Sequence, residues 1–199
     1  MRFFYGLYVK DEELAASLDL IRFLAEPIFF RRAHITVRGP YTTRIADQIA
    51  HISGGRTYKI LFRGLGTFFQ AKQNTVFLKC EVPGIEEVWN KPDFGNQITP
   101  HVTFYDGPER GFAYGILNEL NHYRWDFSAE STELTEIEAK TSPGVYLDEF
   151  KLHQKVHDQI LGRHLDYREI RNLHWRRRLP YISEVANFVG RHFAGTRQT

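Results

Sequence analysis

Two short stretches constrain this chain more than anything else in it. His34-Ile35-Thr36-Val37, followed by Gly39-Pro40, reappears 67 residues later as His101-Val102-Thr103-Phe104, followed by Gly107-Pro108. In an extended strand, side chains at i and i+2 share a face. His34 and Thr36 therefore point one way while Ile35 and Val37 point the other, and His101, Thr103, Val102 and Phe104 repeat the arrangement. A strand pattern and then a helix pattern precede each copy, and a helix and a strand follow each. The chain reads as a duplicated unit.

The flanking segments carry the rest of that reading. FFYGLYV (3–9) is a strand, and Asp11, Glu12 and Glu13 open a helix with Leu14, Leu18, Ile21 and Phe23 near helical spacing. Thr42 or Thr43 caps a helix carrying Ile45, Ile49 and Ile52 up to Gly54-Gly55, and TYKILF (57–62) alternates as a strand. Gly64-Leu65-Gly66 reads as a bulge or turn, because no GxGxxG follows. In the second half TVFLKCEV (75–82) is a strand, GIEEVWN (84–90) a short helix, FAYGILNELNHY (112–123) a helix and RWDFSAE (124–130) a strand. TELTEIEA (132–139) and VYLDEFKL (145–152) form a closing hairpin across Ser142-Pro143-Gly144.

Charge marks a boundary after Leu152. Residues 1–152 carry 17 Lys/Arg against 20 Asp/Glu, net −3, and residues 153–199 carry 9 against 4, net +5. The first segment reads as a core domain of two lobes, and the second as a basic helical extension. In the extension Val156, Ile160, Leu161 and Leu165, then Val185, Phe188 and Val189, recur at helical spacing, broken by Gly162 and Pro180. That pattern predicts two or three short helices packed on the core. Sixteen Phe, ten Tyr and three Trp among 199 residues supply a core and exclude disorder for most of the chain. A single cysteine, Cys80, can build neither an internal disulfide nor a thiolate zinc cage. The apolar run after Arg2 returns to charge at Lys10 and Asp11, too soon for a signal-peptide core, so the expected setting is a soluble protein of the cytoplasm, off the membrane.

Two duplicated lobes that meet about a pseudo-two-fold axis bring both motif faces to one cleft. Two imidazoles and two hydroxyls then converge. One imidazole can take a proton from a nucleophile while the other gives one to a leaving oxygen, and the threonines can donate to phosphoryl oxygens. This scheme needs no metal or other cofactor. A lone HxT on a strand would read as a half-buried, hydrogen-bonded histidine; two matched copies favour the paired reading.

HITV (34–37) and HVTF (101–104) resemble the two HxTx motifs of the 2H phosphoesterase superfamily, which includes 2′-5′ RNA ligase-like proteins and cyclic phosphodiesterases. The resemblance covers about residues 1–152. It implies an α+β fold of two lobes, with two mainly antiparallel sheets forming a central groove. It also implies that His34 and His101 are the acid–base pair and that Thr36 and Thr103 bind the scissile phosphate. The implied substrates are nucleotides or RNA with a 2′,3′-cyclic phosphate or a 2′-5′ linkage. Degradation of a cyclic oligonucleotide messenger, and nucleotide binding without turnover, are the alternatives.

Other residues are weighed beside these. Arg38 shares the face of Thr36 and can neutralise a phosphate, or it is a solvated strand-end charge. Tyr41 and Tyr105 sit near the proposed cleft mouth and can stack on a base, or pack against a helix. Phe68 and Phe69 read as core rather than groove. His153 and His157 have the i, i+4 spacing of a metal clamp, with His164 further on, but HQKVH lacks the glutamate of HExxH and reads as a polar helix face. Trp175-Arg176-Arg177-Arg178 is a solvated basic turn or an RNA contact, and Arg171 belongs with it.

Overall fold

A computed structural model describes residues 2–27, 32–45, 47, 51, 53–89, 99–139, 151 and 153–194. The strands are β1 (Arg2–Leu7), β2 (Ile35–Tyr41), β3 (Lys59–Phe69), β4 (Asn74–Glu81), β5 (His101–Gly107), β6 (Asp126–Glu130) and β7 (Thr135–Ala139). The helices are α1 (Glu12–Ala25), α2 (Arg110–Asn121), α3 (Gln154–Leu161), α4 (Tyr167–Asn172) and α5 (Trp175–His192), with a 3-10 turn at Ile85–Glu87. Where the family resemblance implies two sheets, the strands join into one sheet of order β6-β3-β4-β5-β2-β1-β7. Every neighbouring pair in it is antiparallel. The join is narrow, because β2 and β5 meet at one registered pair, Ile35 with Val102.

Alternation sets the two faces of the motif strands. Ile35, Val37, Val102 and Phe104 are almost fully buried, while His34, Thr36, His101 and Thr103 are half-buried. The apolar face merges with α1 and α2 into one core. Asp11 starts α1 by accepting from the Leu14 N–H at 2.8 Å, and Glu12 and Glu13 add favourable charge at that end. From Leu14 to Ala25 every residue of α1 is buried, which is the pattern of a helix enclosed on all sides. β5 lies on one side of it and α3 and α5 on another.

Gly64, at φ +82°, sits where the β3–β4 register shifts between Phe62 and Leu65, so the glycine stretch is a β-bulge. The helix expected from Thr42 or Thr43 through Ile52, and the second arm of the hairpin expected after Ser142, lie largely outside the described residues. Among the described residues the extension contains three helices. Gly162, at φ +65°, closes α3 as the sequence suggests. Pro180 does not break α5, contrary to expectation. It removes one hydrogen bond near the start of the helix, and the fully buried stripe Ile182, Val185, Ala186 and Val189 holds the remainder in place.

Candidate active site

The β2–β5 junction decides how the two motifs meet. Ile35 pairs with Val102 in antiparallel register. Moving one residue along each strand sets His34 across from Thr103 and Thr36 across from His101, all on the face opposite the core. The two histidines then lie diagonally to each other, each facing the other motif's threonine.

Both imidazoles are held by the same device. His34 Nδ1 lies 2.9 Å from the Arg32 carbonyl, and His101 Nδ1 lies 2.8 Å from the Thr99 carbonyl. A carbonyl can only accept, so each Nδ1 carries the hydrogen. In the neutral ring the lone pair is then on Nε2. One fixed tautomer, set by the carbonyl two residues earlier, occurs in both copies.

The surroundings of the two histidines differ. Tyr8 meets the His34 ring edge-on at 5.9 Å, and the Arg32 guanidinium lies over the Tyr8 ring at 4.5 Å. His101 is flanked by Phe77 at 4.8 Å and Phe68 at 6.0 Å, and these two rings stack on each other at 4.5 Å. Lys79 pairs with His101 and Phe77 with Thr103 across β4 and β5, so all four share the motif face. Phe68 is 45 % exposed and stands at the site, not in the core where the sequence reading put it. Phe69 is partly buried, its ring 4.8 Å from that of Tyr114.

Helix α1 reaches both motifs. Asp19 accepts from the Ala33 N–H, next to His34, and from Arg32 Nε at 3.3 Å. Arg22 Nη1 donates to the Thr103 carbonyl at 2.6 Å. Burial pushes the Asp19 carboxyl up to about 6, against the pull of Arg32 and the Ala33 N–H.

Several sequence candidates are placed elsewhere or given another task. Tyr105 is 4 % exposed, its ring packs on Phe112 at 5.2 Å, and its hydroxyl accepts from the Glu109 N–H at 3.0 Å. It is a structural tyrosine and not a stacking platform. Tyr41 is at the far end of β2 with its ring 6.2 Å from that of Tyr5. Arg38 is half-buried, and its Nε is enclosed without a hydrogen-bond partner. Arg178 is 8 % exposed and donates to the Leu24 carbonyl at 2.9 Å, at the C-terminus of α1, with its guanidinium over Phe112. It is therefore withdrawn from the RNA-facing set, whereas Arg176 and Arg177 are exposed.

His157 is fully buried. Its Nε2 donates to the Ala16 carbonyl at 3.0 Å, and its Nδ1 accepts from the Tyr167 hydroxyl at 2.8 Å. Both ring nitrogens are thus committed to packing, Nε2 holding α3 on α1 and Nδ1 holding it to α4. His164 instead pairs with Asp158 at 2.8 Å on the surface. Among the described residues no three His, Cys, Asp or Glu side chains are grouped to hold a metal ion. No helix among them is long and apolar enough to cross a membrane.

Sequence reasoning passed over Asp19, Arg22, Phe77 and Lys79. The last two had a readable signal: within TVFLKCEV, Thr75, Phe77 and Lys79 alternate with Val76, Leu78 and Cys80, so a lysine falls on the non-core face. Asp19 and Arg22 carry no local signal, because their partners are 14 and 81 residues away. No family model, curated protein or solved structure matches this chain.

Proposed function

We propose that the chain is a phosphoesterase that opens 2′,3′-cyclic phosphates, or cleaves 2′-5′ linkages, of nucleotides or RNA by two-histidine acid–base catalysis. The observation that carries this reading is the matched anchoring of His34 and His101 through Nδ1, which gives both rings the same usable nitrogen on one face. A buried structural histidine needs no such repetition. In the reaction, neutral Nε2 of one histidine takes a proton from water as its oxygen bonds to phosphorus. The bond from phosphorus to one ribose oxygen breaks in line, and protonated Nε2 of the other histidine supplies that oxygen with its proton. Thr36 and Thr103 donate to the non-bridging oxygens, with Arg38 as a further cation on the β2 side. A five-membered cyclic phosphate is the easiest substrate of this class, because ring strain already favours departure of the oxygen.

Strand order supports a duplicated origin for the two halves. Outward from the junction, one side runs β5, β4, β3, β6 and the other β2, β1, β7. Each begins with a motif strand and continues with the strand that precedes it in the chain, and beyond that the first side is one strand longer. A reducing cytoplasm suits the lone Cys80, which is buried with its thiol pushed up by desolvation.

The test is incubation, with EDTA present, with nucleoside 2′,3′-cyclic phosphates, cyclic-phosphate-ended RNA, 2′-5′ dinucleotides and cyclic dinucleotides, with products identified by mass. Turnover of the first three classes is expected. Binding without turnover on every substrate would replace the enzyme with a nucleotide-binding protein.

A further inference from the structure

Phe68 is one of two large apolar side chains exposed among the described residues. A single exposed ring is ordinary on a protein surface. This one is set apart by its mounting. One face is covered by Phe77, at 4.5 Å and 28° between planes, and its edge meets His101 at 6.0 Å and 81°. With one face covered and 45 % of the residue exposed, the open part of the ring lies beside a motif histidine.

The backbone is adapted to this stack. A Cβ on Gly66 would come within 2.5 Å of Phe77 Cζ and 2.9 Å of Lys79 Cε. Only a glycine there lets the Phe77 ring lie flat over β3 and lets the Lys79 stem pass above it. Lys79 is exposed and stands across from His101 on the same face, which puts a cation beside the ring pair.

We infer that Phe68, backed by Phe77, is the platform on which the base of the reacting nucleotide stacks, with Lys79 drawing its phosphate toward His101. This rests on the phosphoesterase reading and assigns the β3–β4–β5 side of the site to the nucleoside. The His101 ring lies 6.0 Å from the Phe68 ring, so a base stacked on Phe68 keeps its own ribose in the neighbourhood of that histidine. Stacking needs only a π-face, so the platform accepts any base and favours the larger purines. On the β2 side, among the described residues, Tyr8 meets His34 edge-on and carries the Arg32 guanidinium over its ring, and the Tyr41 ring lies 6.2 Å from that of Tyr5.

The experiment compares wild type, Phe68→Ala and Phe68→Trp on two substrates, adenosine 2′,3′-cyclic phosphate and 1-O-methylribose 2,3-cyclic phosphate, which lacks the base. Binding of adenosine 2′- and 3′-monophosphate is measured calorimetrically in parallel. Phe68→Ala is expected to lower kcat/KM on the adenosine substrate, relative to the base-free one, by roughly tenfold to a hundredfold. Phe68→Trp is expected to retain or improve that ratio. An unchanged ratio in a folded Phe68→Ala overturns the platform; if the alanine variant does not fold, a Phe68→Trp variant that loses the base preference overturns it. Absence of turnover in wild type overturns the reaction instead. In that case Phe68-dependent binding of the monophosphates upholds the platform, and binding indifferent to Phe68 overturns it.

Discussion

Arg22 and Thr103 are 81 residues apart in sequence, yet the Arg22 guanidinium donates a 2.6 Å hydrogen bond to the Thr103 carbonyl. One turn earlier on the same helix, Asp19 holds the Ala33 N–H and Arg32 at the entry to the other motif. Helix α1 is therefore a common brace for His34 and His101. Replacing Arg22 by Met leaves a buried carbonyl without its donor, which costs about 1–3 kcal/mol. The expected result is a lower melting temperature together with a fall in kcat, and Arg22→Lys should recover part of both.

Two buried groups on or against α1 respond to acid in opposite senses. Burial holds His157 down, to about 4 from an ordinary 6.5, so its contribution to stability is complete above 6.5 and is lost as pH falls toward 4. Burial raises Asp19 to about 6 from 3.8, so its contribution is complete below 3.8 and is lost as pH rises through 6. Across that shared window the two slopes oppose each other. Urea unfolding at several pH values between 4 and 6.5 should show Asp19→Asn losing stability in acid more steeply than wild type. His157→Gln should lose it less steeply, or gain. Parallel profiles for all three proteins would show that neither group titrates as described.

Gly66→Ala tests the packing beneath the site. The new methyl group overlaps the Phe77 ring, which is 7 % exposed and touches His101. Overpacking of this kind costs typically about 1–3 kcal/mol. Unfolding measurements should show that loss, with a raised KM for base-bearing substrates. Wild-type stability would mean that the Phe77 ring moves aside freely.

Much of the site was legible in the sequence, because it depends on local rules. Strand alternation alone placed His34, Thr36, His101 and Thr103 on one face with Ile35, Val37, Val102 and Phe104 behind them. Asp11 and its two glutamates fixed the start of α1. Long-range facts were not legible. Nothing near Ile35 announces that it pairs with Val102, and that one pair turns the expected two sheets into one. Arg178 looked like its exposed neighbours, and only its position over the C-terminus of α1 makes it structural. Tyr105 sits beside the second motif, but the turn at Gly107 and Glu109 takes up its hydroxyl. Phe68 was misjudged because a Phe-Phe pair at the end of a strand must place one ring on each face, and sequence does not say which face is covered.

The basic run in the extension divides between two tasks. Arg178→Leu removes the donor to the Leu24 carbonyl and should lower the melting temperature whatever the substrate. Arg176→Ala with Arg177→Ala, both exposed, should leave stability near wild type. If these two arginines touch RNA phosphates, the double variant weakens binding of long RNA and flattens its salt dependence. An unchanged salt slope would confine them to solvent.

The paired use of His34 and His101 is tested most directly by the pH–rate profile of adenosine 2′,3′-cyclic phosphate hydrolysis, for wild type, His34→Ala and His101→Ala, with EDTA present. The account predicts a bell-shaped wild-type profile, because one ring must be neutral and the other protonated. Each alanine variant should lose on the order of 10²–10⁴ in kcat. A folded variant of either histidine that keeps near wild-type turnover would contradict it.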